Sequence, residues 1–242
     1  MDTIIIVAVA VLPALLLWLY IWMKDPQKEP THLLLKATVW GVMICFPVAV
    51  VEAGISAVLY ELGLTSSGFF ATTVQAFFVA ALPEESAKLL MLWLILRKNP
   101  YFDEHFDGIV YAVCIGLGFA AVENLFYILD GGEKWLTVAT VRALLSVPGH
   151  YAFAVIMGYY YSAHHFFIHT RWSAVLILLM PVLAHGIYDA IAMMGEETPI
   201  VGGMGFFLLV YACIKMHRFA INRIDSLIER DSNNPISQKH IM

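Results

Sequence analysis

The chain is 242 residues long, 60% hydrophobic and 14% charged, with a formal net charge of -5 and a mean hydropathy of +0.76. These values exclude a soluble globular domain and a nucleic-acid-binding module, which needs a basic face, and they describe an all-α polytopic membrane protein. The three cysteines, Cys45, Cys114 and Cys213, each lie inside an apolar run without CxxC or Cys/His spacing. That is the setting of small buried side chains, not of disulfides or metal ligands.

From the N-terminus, Ile4 to Met23 is uncharged, and about 20 apolar residues cross a roughly 30 Å hydrocarbon core. It is predicted as a retained span, since no basic segment or small-residue cleavage site marks it as a signal peptide. A charged, proline-punctuated loop from Lys24 to Pro30 follows. The second span, Leu33 to Tyr60, carries Glu52, read as a structural or boundary acid. The third, Phe69 to Leu96, holds Glu84, Glu85 and Lys88. It is long enough that the part before Pro83 could form a separate re-entrant or tilted piece, and Pro83 favours a kink.

The fourth span, Ile109 to Leu129, is broken only by Glu123 and Asn124. Gly131 and Gly132 make a turn into the fifth, Trp135 to Tyr161, with Arg142, Pro148, Gly149 and His150. After His164, His165 and His169, a solvated loop, the sixth span runs from Trp172 to Met194 with His185 and Asp189. The seventh covers Ile200 to Met216. The expectation is therefore a bundle of about seven spans (six to eight), with residues 1–220 the integral-membrane domain and 221–242 a polar cytoplasmic tail.

With the N-terminus outside, the inner segments hold Lys24, Lys28, Lys36, Arg97, Lys98, Arg171, Lys215, Arg218, Arg223, Arg230 and Lys239, against Lys134 outside. Basic residues accumulate on the cytoplasmic side, so the N-terminus is predicted out and the C-terminus in, in the cell inner (plasma) membrane.

A charge at membrane depth is costly and faces the protein interior or a wet cavity, which makes each such residue a functional candidate. Lys88 stands four residues after Glu84 and three after Glu85, so one ammonium can reach both carboxylates. A structural ion pair would need only one of them. At 1.5 Å per residue, Glu84 lies about 20 Å from Arg97, His185 and His150 each about 21 Å from their nearest inner edge, and Glu123 about 24 Å from Asp107. Four helices thus bring polar groups to one level in the outer half of the membrane. Asp189, on the same helix face as His185, can fix the orientation of the imidazole. Glu123 with Asn124 equally fits an interhelical hydrogen-bond clamp, and His150 equally fits a satisfied core histidine.

Such a set can activate a water for attack on an amide, with a glutamate as general base and a histidine or Asn124 stabilising the oxyanion. No serine nucleophile motif and no HExxH is present. His150, His185, Asp189 and a glutamate also make an acceptable zinc donor set, so metal stays an open question.

Glu84-Glu85-x-x-Lys88, Phe119-x-x-x-Glu123 and His185-x-x-x-Asp189, in that order, together with the Asp25-Pro26-Gln27-Lys28-Glu29-Pro30 loop, resemble the motifs of the PrsW-type intramembrane proteases. That family lies within the wider CAAX-protease and bacteriocin-processing group of glutamic membrane proteases. The resemblance covers roughly Met1 to Met216. It implies peptide-bond hydrolysis at the membrane, with site-1 cleavage of a membrane-anchored anti-sigma factor as the family's founding activity. It also implies Glu84 and Glu85 as the catalytic pair, with Glu123, His185 and Asp189 completing the site and Lys88 supporting it; Asn124 and His150 are supporting residues by their depth alone, since His150 belongs to none of the motifs. CAAX prenyl proteases carry a histidine in place of Glu123 and an asparagine in place of Asp189, which argues against a prenylated substrate. No cofactor is expected, with zinc left open because the family has been described as metal-dependent. The competing readings are a proton-coupled transporter, since Asp/Glu/His chains also relay protons, and an inert partner-binding member. Against the transporter stands the absence of an inverted repeat.

Overall fold

A computed structural model describes residues 3–64, 68–194 and 199–233. Those residues form seven long helical rods. α1 is Thr3–Lys24, α2 Thr31–Glu61, α4 Asp107–Asp130, α6 Arg171–Met194 and α7 Pro199–Asn233. α3 spans 69–96 and α5 spans 135–166, each an α-helix interrupted by a wider π-helical stretch. Five rods, α1, α2, α4, α5 and α6, are long and apolar enough to cross a membrane. α3 carries three charges in its second half, and α7 becomes polar toward its end. The helices form because apolar side chains run around most of each rod, and a backbone in lipid has no partner for its N–H and C=O groups other than itself.

α4 is the pole around which the others stand, buried without interruption from Asp107 to Ala120. α1, α2, α3 and α5 all pack on it. Close approach needs glycine: a Cβ on Gly41 of α2 would fall 2.1 Å from the Ile115 carbonyl oxygen, and one on Gly118 of α4 would fall 2.2 Å from that of Thr38. Helix association in lipid rests on such small-residue contacts, since burying leucine against leucine gains little over leucine against an acyl chain. The outside of the bundle is correspondingly apolar, with Ile4, Val50, Phe69, Trp172 and Phe207 exposed.

Two expectations change. No separate re-entrant piece precedes Pro83, because residues 69–96 are one continuous rod. The strain of the proline is taken up instead by a π-helical turn, Gln75–Ala81, that contains Val79, the residue whose carbonyl the proline ring would otherwise strike. α5 repeats the device, with a π turn at Arg142–Ser146 containing Leu144, four residues before Pro148. Pro13, Pro47 and Pro181 sit in their helices without one, so proline alone does not produce it. The second change is at the C-terminal end. α7 continues past Met216, where the seventh span was expected to end, and buries Ala220, Ile224 and Leu227 in the main core.

Candidate active site

The polar residues of four rods, α3, α4, α5 and α6, meet inside the bundle. On α3, just past Pro83, Lys88 Nζ lies 2.9 Å from Glu84 Oε2 and 2.8 Å from Glu85 Oε1. All three residues are buried. The same ammonium is 3.2 Å from His150 Nδ1 on α5. An ammonium only donates, so Nδ1 accepts and the ring hydrogen sits on Nε2, which points at Glu123 Oε2 on α4 at 2.7 Å. Arg142, one of the π-turn residues of α5, donates from Nη2 to Glu123 Oε2 at 2.8 Å and from Nε to Asn124 Oδ1 at 3.1 Å. On α6, His185 Nδ1 faces Glu85 Oε1 at 3.0 Å while its Nε2 faces Asp189 Oδ2 at 3.2 Å. Whichever nitrogen carries the proton, a carboxylate receives it.

Aromatic rings hold these groups in place. Lys88 Nζ stands 4.3 Å over the Phe119 ring, which gives the phenylalanine of Phe119-x-x-x-Glu123 a physical task. The Arg142 guanidinium lies 4.0 Å over Tyr127, and His185 stacks on Phe153 with centroids 4.5 Å apart.

A cavity of about 170 Å³ opens on this cluster, enough for several waters, and Glu84, Glu123, His150, His185, Asp189 and Arg142 are in its wall. Glu85 stands behind the wall, fully buried, with Oε2 lacking a hydrogen-bond partner. Asn124 is outside the cavity. Its amide nitrogen donates to the Ala10 carbonyl at 2.8 Å, tying α4 to α1, and its oxygen serves Arg142, so the clamp describes its bonds and neither polar atom faces the reacting space.

Two participants, Arg142 and Glu52, escaped the sequence reading, and a third, His150, was expected only as a supporting residue. His150 matched no motif, yet it bridges Lys88 and Glu123. Arg142 looked like a charge near a span end; the π turn shifts the helix phase and brings it over Glu123. Glu52, read as a boundary acid, lines the cavity and has one buried carboxylate oxygen without a partner.

Comparison with known proteins decides the family. Residues 29–216 match the model described as "PrsW family intramembrane metalloprotease". The Protease PrsW of Bacillus subtilis is 34% identical over 190 residues, 77% of this chain and 82% of the relative. The Protease PrsW of Oceanobacillus iheyensis is 33% identical over 189 residues, again 77% and 82%. The chain belongs to the PrsW protease family. A third PrsW relative, from Geobacillus kaustophilus, is 32% identical over 215 residues, 87% of this chain and 89% of its own. No solved structure matches the chain. As a PrsW family member it is an intramembrane peptidase with several apolar helices in the bilayer.

The family description implies a metal, and the residues present fit one. Ligand atoms of Glu84, Glu85, His150 and His185 all lie within 4.8 Å of one another, a mixed imidazole and carboxylate set that zinc accepts. The unpartnered Glu85 oxygen adds an available donor. The Lys88 ammonium meanwhile bonds three members of that set.

Proposed function

We propose that this PrsW family peptidase hydrolyses a peptide bond of a membrane-anchored protein using a water activated by Glu84. The observation that carries the reading is the division between the two glutamates. Glu84 is in the cavity wall, where a water and a substrate carbonyl have room, whereas Glu85 is sealed behind it against Lys88 and His185. Glu84 is the general base; Glu85 is the group that fixes Lys88 and His185. His185, held between Glu85 and Asp189, keeps its ring fixed in the cavity wall, and the His150, Glu123 and Arg142 chain holds Lys88 from the far side. The asymmetry of Lys and Arg supports an N-terminus outside the inner membrane, with the site in its outer half. A membrane-anchored anti-sigma factor, cut as the first step of envelope-stress signalling, is the substrate that the motif resemblance supports.

A second reading is favoured by the compact four-residue donor set. Zinc held by Glu84, Glu85, His150 and His185 would supply Lewis acidity toward the peptide carbonyl. One experiment separates the two: cleavage of a transmembrane reporter by purified protein stripped with a chelator, its metal content measured in parallel. Undiminished cleavage at a metal content near zero supports the glutamate mechanism. Loss that zinc restores transfers the chemistry to the metal. Unaltered cleavage by a Glu84→Gln variant that inserts normally refutes both.

A further inference from the structure

A second polar concavity stands apart from the site, at the end of the bundle where α2 begins and α3 ends. Its volume is about 470 Å³. Along α2, His32, Lys36 and Trp40 follow at intervals of four and so share one face, Trp40 lying about 6 Å deeper than Lys36. Opposite them, Lys98 in the turn that closes α3 stands above Leu94 and Met91, the latter about 10 Å further in. No acid lines the groove. Among the described residues, neither Lys36 nor Lys98 has an ion-pair or hydrogen-bond partner.

Two uncompensated ammoniums at the rim and an apolar wall beneath make an amphipathic slot between two helices, open on the bundle surface. We propose that it binds an anionic phospholipid, the phosphate diester held between Lys36 and Lys98 and an acyl chain laid along Trp40, Leu94 and Met91. The chemistry selects this ligand on two counts. A free phosphate would use the lysines but leave the apolar wall wet, and a zwitterionic lipid would bring a cation of its own to a site without an acid. Lys36 and Lys98 both fall on the side that basic residues mark as cytoplasmic, the leaflet face where basic slots between helices take up anionic head groups. The proposal is independent of the peptidase reading.

The test is lipid retention by the full chain in detergent, read by native mass spectrometry with phosphatidylglycerol and phosphatidylcholine of equal chain length. The parent is expected to retain phosphatidylglycerol selectively. Each lysine near an anionic surface contributes about fivefold, so Lys36→Gln with Lys98→Gln is expected to lower that selectivity by about 30-fold. Lys134→Gln, at the opposite end, leaves it unchanged. Millimolar glycerol 3-phosphate is expected not to displace the lipid. Equal retention of the two lipids by the parent, undiminished selectivity in the double variant, or displacement by glycerol 3-phosphate overturns the proposal. An unchanged melting temperature in both variants separates loss of the ligand from loss of the fold.

Discussion

At mid-bundle, Glu84 and Glu85 share the Lys88 ammonium and Glu123 holds the Arg142 guanidinium, so each of these three carboxylates meets a side-chain cation, which Glu52 in the same cavity wall does not. At the loop end, where the 25–30 and 99–106 links meet the end of α7, the carboxylates are just as buried but their partners differ. Asp25 accepts backbone N–H groups of Gln27 and Glu29 at 3.1 and 3.2 Å. Glu29 accepts the Tyr111 hydroxyl, and Glu104 the Gln27 amide. Asp231, from α7, accepts the N–H groups of His105 and Phe106 at 3.1 and 3.0 Å and also meets the His105 ring. Burial pushes Glu29 and Glu104 up from 4.5 to about 7, and Asp25 also rises. The difference teaches that a buried acid next to water can be neutralised by a proton or by neutral donors, while the site deep in the apolar bundle brings its own cations.

Four changes break or sharpen that contrast. The largest effect is expected from Glu84→Gln, which removes the cavity-facing base and should lower cleavage by about 10²- to 10⁴-fold with insertion intact; a pulse-labelled transmembrane reporter measures it. Next comes Lys88→Met, which strands two buried carboxylates. Loss of one partner from a buried pair costs about 3–5 kcal/mol, so a large fall in melting temperature is expected, partly recovered when Glu85→Gln is added. At the loop end, Asp231→Ala leaves the N–H groups of His105 and Phe106 without their acceptor and should cost about 1–3 kcal/mol, read by the same melting curve, with the mid-bundle chemistry little affected.

The smallest effect is the most diagnostic of the contrast. Glu29 and Glu104 have folded-state values above the unfolded one, so between about 4.5 and 7 the folded chain holds protons that the unfolded chain has released. Their contribution to stability is complete below the unfolded value and is lost as pH rises through about 7. Glu29→Gln should therefore flatten the decline in melting temperature between pH 5 and pH 8. A decline as steep as the parent's would show that the loop end is compensated in the same manner as the site.

Much of this arrangement was legible in the residue order. Apolar length gave the rods, and one helical turn between Glu84 and Lys88, or between His185 and Asp189, already put each pair on one face. Counting residues from the charged edges placed four helices' polar groups at one depth, and they do meet. What escaped were contacts that depend on helix phase or on distant segments. Arg142 reaches Glu123 through a turn that does not follow the 3.6-residue period, and no spacing argument ties Asp231 to His105 across 126 residues. Glu52 was isolated in its helix, and only packing could show that it faces the cavity. The length of α7 was hidden because its polar residues read as a tail, although every third or fourth one, Ala220, Ile224 and Leu227, is apolar and buried.

The two π turns have a consequence for how the cluster came to be set. A π turn is what a helix becomes when it accommodates one additional residue without breaking. Rewinding 75–81 to the ordinary pitch with no residue lost would rotate everything after it by about 100°, carrying Glu84 away from the cavity while leaving the rod just as apolar. The same rewinding of 142–146 would turn His150 off the Lys88 ammonium. Alignment of the machinery is thus set by the local pitch of two short helical stretches, one in α3 and one in α5, separately from whether the chain enters the bilayer.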